Sequence, residues 1–405
     1  MSTALVQRLS ALAGAADREL DALLAWWTDK AVDHLHGGFH GEIDALDRPI
    51  AGASKGIVLN ARILWFFSSA AATRPAALPY AKRAYDYIRT FFVDRAHGGV
   101  FWELDAAGSL LNGKKQAYAQ AFAIYALIAY HRTTRDSEAL HLAHALFALM
   151  QQHLVDAEHG GYLEARDRAW SALADVRLSE FDANHPKTMN THLHVLEAYT
   201  ALHAVAPTPE TEAALRVSID HLVNRFWNPA SRHLRLFFTL DWHDRSEAVS
   251  FGHDIEASWL LWEAGKALGD PRVEQGLARI VIGLAHGTLQ DGVGPLGAIC
   301  NERKLDGQFD GARVWWAQAE AMVGFLNAFE LSEDVSFLRA AENVWSFILA
   351  HHIDRERGEW TWWSDLDTPA TDRSYKAGFW KGPYHNGRAL LEVSQRARRL
   401  IARHQ

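Results

Sequence analysis

His36-Gly37-Gly38-Phe39, His97-Gly98-Gly99-Val100 and His159-Gly160-Gly161-Tyr162 are three copies of one turn. Gly98 follows Gly37 by 61 residues, and Gly160 follows Gly98 by 62. Each copy leads into a stretch of alternating apolar and polar residues: Phe39 to Asp44, Val100 to Asp105, Tyr162 to Asp167. Paired glycines followed by alternation predict a short β-hairpin. Weaker copies continue the series at Asn228–Phe238, Asp291–Gly297 and Arg355–Trp363. Six turns at a period near sixty leave room for two helices per repeat.

The intervening segments predict helices. Leu59–Phe67, Ala117–Leu127 and Ala317–Leu326 are rich in Ala and Leu, with apolar residues recurring at three and four. Six helical hairpins closed into a ring give an all-α fold, an (α/α)6 barrel with short β-hairpins gathered at one end. The chain of 405 residues then reads as one catalytic domain, 1–405, although its length alone would suggest two or three.

Composition narrows the function. Hydrophobic residues make up 49%, enough for a large core, and the net charge of −8 without a basic stretch argues against nucleic acid. No apolar run reaches the length of a membrane span, and Met1 to Ala16 reads as a first helix rather than a signal peptide. The single cysteine, Cys300, fits a reducing compartment, so the cytoplasm is expected. The 16 Trp and 22 His are generous, and flat indole faces are what sugar rings stack on.

Three histidines interrupt otherwise apolar helical segments: His194 in Met189–Tyr199, His253 in Ser250–Trp259, and His385 in Phe379–Arg388. Each is expected near a helix start, at an equivalent place in a different repeat, facing the barrel mouth. One such histidine is more often a core residue than a catalyst; three together reverse that reading. His192 and His194 point about 200° apart on a helix and cannot share an ion. With no His-Glu-x-x-His pattern and no partner for Cys300, no metal or other cofactor is expected. Glu256 lies three residues after His253, where a carboxylate can orient the ring, raise its pKa or bind a hydroxyl. Asp254 reads as a cap-like charge. Arg62 breaks an apolar face and needs an anion or several acceptors, whether from a structural ion pair or from a ligand. Trp316 and Trp380 fall beside mouth loops, where two indoles can flank consecutive sugar rings or simply pack.

Seven segments carry a resemblance that spans nearly the whole chain: Lys55–Trp65, Lys115–Phe122, Met189–Tyr199, Gly252–Trp259, Asn301–Arg303, Trp315–Ala321 and Phe379–Arg388. In this order they resemble the N-acylglucosamine 2-epimerase superfamily, and within it the cellobiose 2-epimerases. The resemblance implies the same barrel, metal-independent chemistry and a cytoplasmic location. It implies His253 and His385 as an acid/base pair and His194 as a third catalytic histidine. Arg62, Tyr118, Asn190, Glu256, Glu302, Trp316 and Trp380 are implied as sugar contacts. Residues 364–374 match nothing in that pattern.

A C2 epimerase opens the pyranose, removes the C2 proton that the free aldehyde acidifies, and reprotonates the cis-enediolate from the other face. Two bases near neutrality suffice, and histidine suits the task. A glycoside hydrolase on the same barrel would instead use two carboxylates, with Glu256 and Glu302 as candidates, and leave the histidines idle. A non-catalytic binding module would need only the tryptophans. Among epimerase substrates, a β-1,4 disaccharide such as cellobiose and a free monosaccharide such as mannose remain open. So does a related aldose–ketose isomerase, which would use the same enediolate.

Overall fold

The computed structural model describes residues 3–180, 182–367 and 375–403. Among them are twelve α-helices: α1 (Thr3–Lys30), α2 (Ile57–Ala71), α3 (Leu78–Tyr87), α4 (Ala117–Thr134), α5 (Ser137–His153), α6 (Met189–Val205), α7 (Pro209–His221), α8 (Phe251–Leu268), α9 (Pro271–Gly287), α10 (Trp315–Ser332), α11 (Val335–His351) and α12 (His385–Ala402). The even-numbered helices form an inner ring in the order α2, α4, α6, α8, α10, α12, with α12 returning to α2. The odd-numbered helices pack outside it. This is the (α/α)6 barrel the repeat predicts, with one refinement: the outer partner of α12 is α1, so the sixth helix pair joins the two ends of the chain.

Residue pattern separates the two rings. In α2 every residue except Ser69 is buried, because the helix has neighbours on all sides. In α9 burial is confined to a stripe that includes Leu277, Val281 and Leu284, as a helix with one solvent face requires. Inner-to-outer connections are short. Every outer-to-inner connection is long and carries one of the six turns, so all six long loops crowd the N-terminal ends of the inner helices.

The paired glycines supply what the turns need. Gly37 and Gly38 have φ of 78° and 61°, and a Cβ on Gly38 would come within 2.7 Å of the Tyr87 ring. The hairpins are smaller than alternation predicts, since each Gly-Gly turn is closed by a single bridge such as Val32–Phe39 or Val93–Val100. The strand before each inner helix instead pairs with the next repeat: Lys55–Gly56 with Glu103–Leu104, Lys115–Gln116 with Ala165–Arg166, Lys187–Thr188 with Phe237–Phe238, and Ala248–Ser250 with Glu302–Lys304. Bridges Val314–Trp363 and Ile43–Ala377 continue the series around the mouth. Alternation therefore stitches repeats together.

Buried ion pairs fasten these turns. The Asp33 carboxylate accepts the backbone N–H of Leu35 and His36 and lies 2.8 Å from Lys55 Nζ. Asp94 with Lys115 at 2.9 Å and Asp156 with Lys187 at 2.7 Å repeat the arrangement.

Candidate active site

A second repeat, one residue wide, organises the inner helices. Gln120, His192, Asp254 and Gln318 each accept the backbone N–H of the residue just past a turn, from Val100, Tyr162, Leu234 and Ile299 respectively. Asn386 holds its turn through Glu359 at 2.7 Å, and Asn60 stands at the same register. Two residues further along each helix are Arg62, Phe122, His194, Glu256, Glu320 and Arg388. These side chains converge on the barrel axis. One residue before the pinning position stand His253 and His385, which are therefore equivalent to each other. His194 is not their equivalent; it belongs to the Arg62 register, which corrects the expectation of three matching places.

An inner chamber of about 210 Å³ is lined by Arg62, Tyr118, Asn190, His194, His253, Glu256, Trp316, Trp380 and His385. Nine of the ten residues singled out from sequence thus meet in one cavity. Glu302 is the exception, lining an outer cleft of about 820 Å³ that shares Asn190, His253 and Trp316 with the chamber. Trp316 contacts both equivalent histidines, with ring centroids 4.7 Å from His253 and 5.6 Å from His385. Trp380 lines the chamber alone, so Trp316 is the indole at the boundary between the two spaces. Of the unmatched segment, Ser364 to Asp367 hold Arg313 through Asp367 at 3.0 Å, and residues 368–374 lie outside the described residues.

Each histidine is held through one nitrogen. His385 Nδ1 is 2.7 Å from Glu320 Oε1, His194 Nδ1 is 3.0 Å from Glu197 Oε2, and His253 Nδ1 is 2.8 Å from Ser250 Oγ. Burial pushes all three below the ordinary histidine value, His253 to about 3, so the rings are neutral near pH 7. The carboxylate three residues after His253 does not raise that ring's pKa, because it points elsewhere: Glu256 accepts from Arg388 Nη2 at 2.6 Å. Asp254 is not a cap either, but lies buried against His233 at 2.7 Å.

Arg388 is the centre that the sequence reading missed. Its guanidinium also binds Glu320 at 2.6 Å and pairs with Glu197 and the Tyr384 hydroxyl. Burial would raise the Glu197 carboxyl, but the Arg388 charge and the His194 hydrogen bond hold it at about 2. Burial, reinforced for Glu256 by the neighbouring Glu320 charge, pushes the Glu256 and Glu320 carboxyls upward, against the opposing pull of the Arg388 guanidinium. The i, i+3 spacing used for His253 and Glu256 also relates His194 to Glu197 and His385 to Arg388, and would have found both.

Ligand atoms of Glu256, Glu320 and His385 lie within 4.8 Å of one another, the one grouping among the described residues with metal-ligand character. The Arg388 Nη2 already donates to both carboxylates, so a guanidinium stands where a cation would bind. Arg62 presents the opposite case. Among the described residues it has no carboxylate partner; Nη1 donates to the Trp380 carbonyl at 2.5 Å, Nη2 to the Tyr118 hydroxyl at 2.9 Å, and Nε has no partner. A buried cation without a counter-charge beside three neutral histidines favours an anion formed in the chamber. Asn190 adds an unpartnered buried Oδ1 on the same wall.

Similarity to known proteins agrees with this geometry. The family model for N-acylglucosamine 2-epimerase matches residues 37–388. The cellobiose 2-epimerase of Bacteroides fragilis is 42% identical, over 92% of this chain and 95% of that protein, and that of Ruminococcus albus is 38% identical, over 93% and 96%. The solved cellobiose 2-epimerase of Spirochaeta thermophila is 40% identical with a TM-score of 0.91, covering 99% of this chain and all of that one. A mannanase structure at 11% identity and TM-score 0.65 shares the fold alone. The ring of helices, the histidine-lined chamber and these relatives together make the protein a sugar isomerase that belongs to the N-acylglucosamine 2-epimerase family.

Proposed function

We propose that this sugar 2-epimerase inverts C2 of the reducing-end aldose of cellobiose, giving glucosyl-mannose through a cis-enediolate, with the chain acting as one catalytic domain, 1–405. The observation that carries the reading is the chamber itself: two register-equivalent neutral histidines, His253 and His385, share the Trp316 ring next to an uncompensated Arg62. With Nδ1 engaged, each ring offers Nε2 to the substrate. His385 takes or returns the C2 proton on one face and His253 on the other. Glu320 stabilises the imidazolium formed at His385. His194, fixed by Glu197, serves ring opening between O1 and O5. Glu256, held by Arg388 on the chamber wall, accepts a hydrogen bond from a sugar hydroxyl.

Arg62 and the positive N-terminal ends of the inner helices stabilise the enediolate oxygens. Tyr118, Asn190 and Trp380 hold the reacting ring, and Trp316 with Glu302 extends contact to a second ring in the outer cleft. The route calls for no metal and no nucleotide, and suits a cytoplasmic enzyme whose partner is a small sugar. A hydrolase is disfavoured because Glu256 is tied to Arg388 and Glu302 lies outside the chamber. Cellobiose incubated with enzyme in heavy water should yield glucosyl-mannose carrying deuterium at C2. Release of glucose, or retention of all original hydrogen at C2, would overturn the proposal. Preference for free mannose would move the substrate to the monosaccharide.

A further inference from the structure

The turn leading into α8 is fastened differently from the first three. Asn228 stands where Asp33, Asp94 and Asp156 stand, and no lysine precedes the helix. In the lysine's place is His233, on the strand His233–Leu234, and it is buried. Its Nδ1 lies 2.7 Å from Asp254 Oδ2 and its Nε2 lies 3.0 Å from Asp291 Oδ2. A neutral imidazole carries one N–H, so only the doubly protonated ring donates to both carboxylates. Arg303 Nη2 reaches the same Asp291 oxygen at 3.0 Å, so the ring and the guanidinium share one carboxylate.

The charged groups facing the ring are thus Asp254 from α8, Asp291 from the helical turn at 288–292, and Arg303, one step beyond Asp291, from the strand Glu302–Lys304. The Phe251 ring covers one side at 5.8 Å. We propose that His233 is a positioning residue whose doubly protonated ring locks the start of α8, and with it His253, and that deprotonation at alkaline pH releases the lock. This rests on reading His253 as a proton-transfer group.

The path to His253 is short. Asp254 follows His253 directly and also accepts Leu234 N–H at 2.8 Å. Asp291 holds Arg303, which pairs with Val249, while Ser250 pairs with Glu302 and holds His253 Nδ1. The clamp therefore grips the helix start and the strand pair that together aim the His253 ring. Burial alone would lower His233, but the hydrogen bonds and charges of Asp254 and Asp291 outweigh it and raise it above the ordinary value. Burial also raises the Asp254 carboxyl, while the His233 hydrogen bond and charge and the Leu234 N–H act to keep it ionised. The lock is intact below the raised value and lost as pH climbs through it.

The test follows kcat/KM for C2 epimerisation between about pH 6 and 10, alongside the 15N shifts of the His233 ring in the whole enzyme. In the natural protein the ring stays doubly protonated at neutral pH, and the alkaline fall in kcat/KM shares its midpoint. Asp291→Asn, at a half-exposed rim position, should move both midpoints down together by about one pH unit. His233→Gln should remove that limb and lower kcat on the order of tenfold at neutral pH, with KM little changed. A singly protonated ring at neutral pH, or an alkaline limb unmoved in Asp291→Asn, overturns the proposal. If no deuterium enters C2 at any pH, the epimerase reading fails instead, and the ring's titration in Asp291→Asn still decides the clamp.

Discussion

His385 Nδ1 lies 2.7 Å from Glu320 Oε1, and that contact decides which nitrogen of the ring can act. A carboxylate that accepts Nδ1–H leaves the lone pair on Nε2 and steadies the imidazolium formed when the base takes its proton. Glu320→Gln keeps the shape and removes the charge. It should cut kcat on the order of 10²–10⁴-fold while changing KM for cellobiose little. Steady-state kinetics at several pH values would check this, and a variant retaining most of its kcat would place the base elsewhere.

Arg62 should behave in the opposite way from Arg388 when removed. Arg62→Met leaves no carboxylate orphaned, so the fold should survive while kcat falls on the order of 10²–10³-fold for want of enediolate stabilisation. Arg388→Met strands Glu197, Glu256 and Glu320 without their cation. That should cost on the order of 3–5 kcal/mol and show as a lowered thermal midpoint. Circular dichroism melts of the two variants distinguish the roles.

The barrel was legible in the sequence because Gly-Gly turns and fully apolar helices are local signals with a long, regular period. The pairing of α1 with α12 was not, since nothing local links the two ends of a chain. Site histidines stood out as polar residues in apolar helices. Arg388, Glu197 and Glu320 share that property, but charged residues on helices are usually solvated, and only tertiary packing shows that these three face one another. The shared register of His253 and His385 became visible once Asp254 and Asn386 were seen to pin turns.

Acid should destabilise the protein through histidines that are buried neutral. His192 accepts Tyr162 N–H on Nε2 and faces the Thr188 carbonyl through Nδ1, and burial pushes it to about 3; His352 is pushed to about 3 as well. With the folded value below the unfolded value of about 6.5, this contribution is fully present above about pH 6.5 and erodes as pH falls toward 3. Each such group costs up to about 1.4 kcal/mol per pH unit within that window. Thermal midpoints should fall between pH 6.5 and about 5, and His192→Gln should show a shallower slope than the natural protein.

Chelation should leave the rate unchanged, because the Glu256–Glu320–His385 group is already neutralised by Arg388. Activity lost with chelator and restored by one divalent ion would show that a cation displaces or bridges the guanidinium.

Substrate preference should follow from the two connected spaces. The chamber of about 210 Å³ suits one sugar ring, and the outer cleft of about 820 Å³ beyond Trp316 has room for another. Contacts to the second, non-reacting ring help hold the first in position, so kcat/KM should be higher for cellobiose than for mannose. Phe237 lines only the outer cleft and packs beside His185 at 5.5 Å. Phe237→Ala should therefore penalise cellobiose by on the order of 1–3 kcal/mol, by analogy with base–aromatic stacking, and leave mannose nearly untouched. Trp380→Ala, which alters the chamber alone, should penalise both sugars alike. Equal losses from Phe237→Ala on the two substrates would mean that the second ring leaves the chamber by another path. Mannose outperforming cellobiose in the natural protein would mean that the outer cleft does not bind sugar, and would leave the histidine pair and the barrel to a monosaccharide.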